Sequence, residues 1–564
     1  MSPQSTTNQR LRVTIIGAGV SGILMAIKLQ QYLPNHITFH IYEKSPEIGG
    51  TWFENRYPGC ACDVPSHLYQ YSFAPNTEWS RFYATSREIQ SYLESVVRQY
   101  NLTPHISFNS LVTHASWSAS PGLWTIEVSS HGTVESEILI NAGGILNNLQ
   151  MPDIPGLDTF RGPQLHTAAW DDRVELTGKR VAIIGAGASA VQVVPEVRKI
   201  AKHVDVYIRT PSWISPPVAL PAGVEKGHIY SEEEKKSFRV DGKGYRSMRK
   251  GLEDQFNSMF GAFTKGSVEQ QDLRGRFEGR MKALIKDEAL QKNLIPSFEA
   301  GCRRINPGEE YLIALQEENV RPVFERIERI DSDGVVLGSG VKHEADVLIA
   351  ATGFNTSFRP RFPILGTGGV NLQDLWEDDP TSYCGIAVSG FPNYLMFLGP
   401  NTPISNGSLM GPLEATSDYI TRLLRKTIRQ RVKSFDIRAD VQADFNKHTQ
   451  AVMQNMVWTG TCRSWFKNSK SGKITALWPG SSLHYMQTLA EDRWEDYKWE
   501  FQGSRFDYLG RGFSWIEDPA GDVLGREESE KWRMSTVPNK GSDLSYYLVD
   551  AVPLAKERDE KALL

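Results

Sequence analysis

The chain carries one glycine-rich signature twice, and each copy lies between an apolar strand and a helix. The first is "RVTIIGAGVSGILMAIKLQQYL", residues 12–33; the second is "GKRVAIIGAGASAVQVVPEV", residues 178–197. In the first, Gly17, Gly19 and Gly22 form G-x-G-x-x-G in the strand–turn–helix context that dinucleotide binding requires. Gly17 permits the tight turn, Gly19 lets backbone approach a pyrophosphate, and Gly22 allows close helix–strand packing. In the second, Gly185, Gly187 and Ala190 hold the same positions. Ser189 and Gln192, on the following helix, are assigned to the same cofactor site. A chain with two such units is constrained to an α/β class with two Rossmann-like dinucleotide-binding domains.

The strand after each motif separates the two sites. "ITFHIYEK" brings Glu43 to its end, where a carboxylate can accept from ribose hydroxyls. "HVDVYIRT" ends on Arg209 and Thr210. A carboxylate repels a 2′-phosphate, whereas a guanidinium binds one in two-pronged fashion. The first site therefore reads as FAD and the second as NADP. Two further apolar stretches, "ESEILINAGG" (135–144) and "EADVLIAATGF" (344–354), read as strands closing each fold. The second unit interrupts the first, so the FAD fold must resume after about residue 355, with 391–408 passing near the flavin. The expected boundaries are 1–155 and 351–564 for the FAD domain, 156–220 and 298–350 for the NADP domain, and 221–297 for a helical insertion with solvated charged faces.

The residues around these motifs resemble the type I Baeyer–Villiger monooxygenases, a family of FAD- and NADPH-dependent flavoproteins. Phe160-x-Gly162-x-x-x-His166-x-x-x-Trp170, followed by Asp171, is similar to that family's fingerprint. "GGTWFENRYPGCACD", from Gly49, resembles a second signature through Gly50, Trp52, Tyr57, Pro58, Gly59 and Asp63. Thr51 stands within it. The resemblance implies that NADPH reduces FAD and that reduced flavin with O₂ gives a C4a-peroxyflavin. That species attacks a ketone and inserts oxygen through a tetrahedral adduct, giving an ester or lactone. It implies Arg304 as the active-site cation, Asp63 as its counter-charge, and Arg303 beside Arg209 at the 2′-phosphate. A simpler reading of this arginine pair is attachment to a carboxylate such as Glu309. The loop "TGTCRSWFKNSKSGK" (459–473) resembles the family's mobile lid, within 455–475, with Trp465 contacting cofactor. Its Phe466-Lys467-Asn468 departs from the common pattern and points to bulky or cyclic ketones. His166 reads as a domain-orienting residue bonded to backbone rather than a catalytic base.

Other classes are disfavoured. A net charge of −4 leaves no basic footprint for nucleic acid. No apolar run reaches the length of a membrane helix, and the polar start lacks a secretory h-region. No His/Cys spacing suits a metal, and no G-x-S-x-G elbow is present. The five cysteines are odd in number, and Cys302, Cys384 and Cys462 are scattered. That pattern is poor for disulfides and fits a reducing compartment. Cys60 and Cys62, two apart, read as packing residues pointing to opposite faces. The expectation is a cytosolic monomer acting on O₂ and a ketone. The alternative is a flavin enzyme oxygenating nitrogen or sulfur.

Overall fold

The computed structural model describes residues 10–216 and 227–509, with Gly512, Ser545 and Leu548 beyond them. The charged C-terminal stretch from Ala555, whose acidic and basic residues predict an exposed end, lies outside the described residues, as does the stretch 217–226.

Each glycine motif follows the middle strand of its own five-stranded sheet. In the first sheet the order is Tyr394–Met396, Ile138–Asn141, Leu11–Ile16, Ile37–Tyr42, Ile106–Ser107, all parallel. In the second it is Gln164–His166, Val347–Ala350, Arg180–Ile184, His203–Tyr207, Val320–Val323, again all parallel. The order is the same in both: closing strand, motif strand, second strand, with one short strand outside each edge. The first sheet is completed by a strand that follows the entire second sheet in the chain, so the second fold is inserted in the first. Both motif strands are largely apolar, with Thr14 the one polar residue in the middle of the first, because helices and loops cover both faces; Val13, Thr14, Ile15, Val181, Ala182 and Ile183 are all buried.

The two closing stretches are not single strands. Residues Gly132–Ser136 belong to an antiparallel sheet and Ile138–Asn141 to the parallel one, with Glu137 at the break. Likewise Lys342–Glu344 and Val347–Ala350 are separated near Asp346. One device makes both breaks. The Glu137 carboxylate accepts the Arg12 backbone N–H (2.7 Å) and its guanidinium. Asp346 does the same for Arg180, at 2.8 Å and 2.7 Å. A charge that must reach its partner at the start of the motif strand turns the chain from one sheet to the next.

Within 227–297 the chain is helical: Glu232–Val240, Gly242–Asn257, Val268–Leu284 and Glu288–Leu294. Each start is capped by a side chain, from Ser231, Asp241, Ser267 and Asp287. Such caps satisfy backbone N–H groups that the first turn leaves unpaired. Val268–Leu284 buries only Gln270, Leu273, Phe277 and Met281, one stripe at helical spacing, and its charges face outward. The insertion docks on the first fold at His67, whose ring lies among Tyr230, Phe238 and Tyr245. Burial and the charge of Arg249 push this imidazole down to about 3, so it stays neutral.

Candidate active site

The two motif turns open onto one cavity of 2220 Å³ that runs between the sheets. Gly17 and Gly185 adopt φ of +96° and +130°, where L side chains are strained. A Cβ on Gly22 would stand 2.0 Å from the Gly17 carbonyl oxygen, which fixes glycine at the third position. Gly50 approaches Gly19 backbone to backbone, so the "GGTW" turn and the first motif form one bare-backbone wall. Glu43 is buried at its strand end and lines the cavity. Its carboxylate accepts N–H from Ala18 (2.7 Å) and Ser45 (2.8 Å), which aims it at the motif turn. Thr51 and Trp52 open a short helix on the same wall. Trp52 donates to the Tyr69 hydroxyl at 3.3 Å and meets that ring edge-on.

At the floor, Asp63 and Arg304 meet in two-pronged geometry, at 2.8 and 2.9 Å, although 241 residues separate them. About a third of the guanidinium side chain opens to the cavity. The charge of Asp63 raises the Arg304 pKa above its usual value against the opposing effect of burial. Glu309, the carboxylate that could have claimed an arginine of this pair, is bound to Arg280 instead. Arg303 turns the other way. It donates to the carbonyls of Thr210 (3.4 Å) and Pro211 (3.2 Å), and burial and the Arg209 charge hold its pKa below the usual value. Two guanidiniums thus converge beside Thr210, and neither pairs with a carboxylate among the described residues. That arrangement suits an anion.

Gln192 has a partner that its sequence position did not reveal. It accepts from the Tyr57 hydroxyl (2.7 Å) and donates to the Ala61 carbonyl (2.9 Å). The "YPGCACD" turn of the first fold is thereby bolted to the helix Ala188–Val197 of the second. Ser189 and Gly187 line the cavity; Ala190 is buried behind it.

The fingerprint residues stand behind the cavity rather than in it. Phe160 and Trp170 are buried in the second fold, and Trp170 shares a cluster with Tyr57 and Cys60. Gly162 has no room for a side chain, since a Cβ would lie 2.3 Å from the Asp346 carbonyl oxygen. His166 ends the edge strand Gln164–His166; its Nδ1 accepts the Ala168 N–H at 3.0 Å. Asp171 is at the surface, two-pronged on Arg173, which holds its carboxyl down at about 2.

The loop carrying Trp465 lines the cavity from Arg463 to Lys470. Phe466 is buried against Trp458 and Phe263. One expectation fails here: Cys302 and Cys462 form a disulfide, with Cα atoms 6.2 Å apart. An odd total conceals one pair, and partners 160 residues apart leave no spacing signal. Cys60, Cys62 and Cys384 are free and buried.

Bare glycine backbone at both motif turns, a carboxylate at one strand end, an arginine pair at the other, and a cavity well above the usual 300–1,000 Å³ or so of a small-ligand site fit FAD and NADP together. Residues 10–222 match the family described as flavin-binding monooxygenase-like. The chain is 42% identical over 528 residues to the FAD-binding monooxygenase moxY of Dothistroma septosporum, covering 91% of this chain and 84% of that one. It is 34% identical to a Baeyer–Villiger monooxygenase of Streptomyces coelicolor, over 86% of this chain and 92% of that one. Among solved structures it is similar to the NADP⁺-bound cyclohexanone monooxygenase of Rhodococcus sp. Phi1. The TM-score is 0.77 at 27% identity, covering 87% of this chain and all of that one.

Proposed function

The chain belongs to the flavin-binding monooxygenase-like family, among its Baeyer–Villiger members, and on that premise we propose that it uses NADPH and O₂ to insert one oxygen atom beside a ketone carbonyl, giving an ester or lactone. The observation that carries this reading is the Asp63–Arg304 pair on the cavity floor. FAD, when bound, supplies the oxygen-activating redox chemistry, and NADPH supplies the hydride. The protein's part is electrostatic. Arg304 keeps its proton when partly desolvated and presents a fixed cation where negative charge develops on a ketone oxygen. Asp63 holds that cation in one orientation and offsets its desolvation. Oxygenation of an amine or thioether makes the substrate the nucleophile and develops no such oxyanion, so it gives this pair nothing to stabilise.

We take the substrate to be a bulky or cyclic ketone held in the main cavity. Beside Arg304, Phe256, Met259, Phe263, Ile305 and Phe466, with Ser405 and Asn406, line an annex of 50 Å³ that can take only the edge of such a molecule. The structural neighbour named for cyclohexanone points the same way. The test is a panel of ketones, from small cyclic to steroid-sized, with one thioether, scored by product. Wild type is expected to form ester or lactone. Arg304→Ala is expected to lose oxygen insertion by about 10²–10³ while retaining FAD. Lactone formation by that variant at near wild-type rate would remove Arg304 from the mechanism.

A further inference from the structure

We propose that the Cys302–Cys462 disulfide is a positioning strap that holds the Trp465 loop and the Arg303–Arg304 segment at a fixed separation across the cavity, and so governs retention of the nicotinamide cofactor. The inference rests on the reading above. Both segments are irregular backbone, and both carry side chains that line the cavity. Cys302 directly precedes the two arginines; Cys462 stands three residues before Trp465. Irregular segments of this kind are ordered only by the contacts they make.

Several contacts around the bridge bind the same two segments, while Gln270 anchors the arginine side by donating to the Ala300 carbonyl at 2.8 Å. Cys302 N–H donates to the Glu299 carbonyl at 3.2 Å, closing the turn ahead of the arginines. A Cβ on Gly460 would lie 2.6 Å from a Glu299 carboxylate oxygen and 3.4 Å from the Cys302 sulfur, so the loop passes directly over that turn. Lys467 folds the loop back on itself by donating to the carbonyls of Gly460 and Cys462, and it feels the charge of Glu299. Cys302 and Cys462 are themselves buried. A covalent link here closes the 160-residue stretch between the two segments directly, which removes most of the loop-closure entropy that seating the Trp465 loop would otherwise cost.

The experiment begins with wild type, denatured without reductant and alkylated. Three of the five cysteines are expected to react, namely Cys60, Cys62 and Cys384; reaction of all five overturns the proposal. Cys302→Ala, Cys462→Ala and the double variant are then compared for the KM of NADPH and for the Kd of NADP⁺, both without ketone. All three are expected to raise both readouts by the same factor, about tenfold, with FAD content and NADPH turnover at saturation unchanged. Unchanged KM and Kd, or a double variant that sums two separate effects, overturns the strap. If the variants do not fold, wild type is treated with dithiothreitol, which is oxidised to its cyclic disulfide as both cysteines become thiols, and is assayed after the reagent is removed. Equal KM in the bridged and opened forms overturns the strap equally. Absence of any ester product would instead count against the ketone reading, since no strap measurement uses a ketone.

Discussion

Asp63 sets what Arg304 can do. A guanidinium gripped at 2.8 and 2.9 Å by one carboxylate has a single orientation, and the side chain lines the cavity. Without Asp63 the cation keeps its charge and loses its aim. Asp63→Ala is therefore expected to lower ester formation by about 10² or more while the flavin absorbance of the purified protein stays unchanged. The control lies three residues away. Cys60 packs into the cluster of the second fold and Cys62 into that of the first, so the two thiols do point to opposite faces. Burial pushes the Cys60 thiol up to about 11 and the Cys62 thiol higher still, which leaves both protonated and unreactive near neutrality. Cys60→Ser is expected to keep product formation near wild type, and equal losses in Asp63→Ala and Cys60→Ser would make the whole turn, and not the carboxylate, the responsible feature.

Elements differ in how much of them a sequence reader can see. The motif strands and helices were legible because glycine at Gly17, Gly22 and Gly185 answers to backbone geometry alone, and a largely apolar run implies burial on both faces. The split of each closing stretch was not legible. A single Glu137 or Asp346 in an apolar run reads as a tolerated charge until Arg12 or Arg180 is placed beside it. The motif position of Gln192 points to cofactor, whereas its bond to Tyr57 depends on how two folds meet. The strand Val432–Ile437 holds another case. Asp436 accepts the Gly390 N–H at 3.0 Å, and burial pushes its carboxyl from the ordinary 3.8 up to about 6. The sign follows from linkage. A carboxyl with a raised folded pKa adds stability that is complete below the unfolded value and is lost as pH rises through the folded one. Asp436→Asn keeps an acceptor for Gly390 and removes the ionisation. At neutral pH it is expected to gain on the order of 1–3 kcal/mol, seen as a higher Tm, and the gain should vanish below pH 3.8. A gain that stays constant with pH would place the effect in packing and not in charge.

At the scale of the whole molecule, one sheet plan is used twice, and the charge that follows the second strand distinguishes the two copies. In the first fold Glu43 directly follows the strand residue paired with Ile16; in the second, Arg209 stands one place further along the register, after Ile208. In the proposed reading, the acid disfavours a 2′-phosphate at the first site by charge repulsion, and the base favours one at the second. Arg303 reinforces the choice from the far side of the chain, through the same segment that presents Arg304 to the floor. In the proposed reading, cofactor selection and the active-site cation are carried by adjacent residues whose side chains diverge. A charge-assisted contact to phosphate contributes about 1.5–3 kcal/mol, which corresponds to roughly tenfold to a hundredfold in affinity. Arg209→Ala and Arg303→Ala are each expected to raise the KM of NADPH within that range and to leave the KM of NADH nearly unchanged. The NADPH penalty should shrink as salt screens the remaining arginine. Parallel rises for both cofactors would mean that the two guanidiniums shape the nicotinamide site as a whole, and selection for the phosphate would then have to reside elsewhere on the cavity wall.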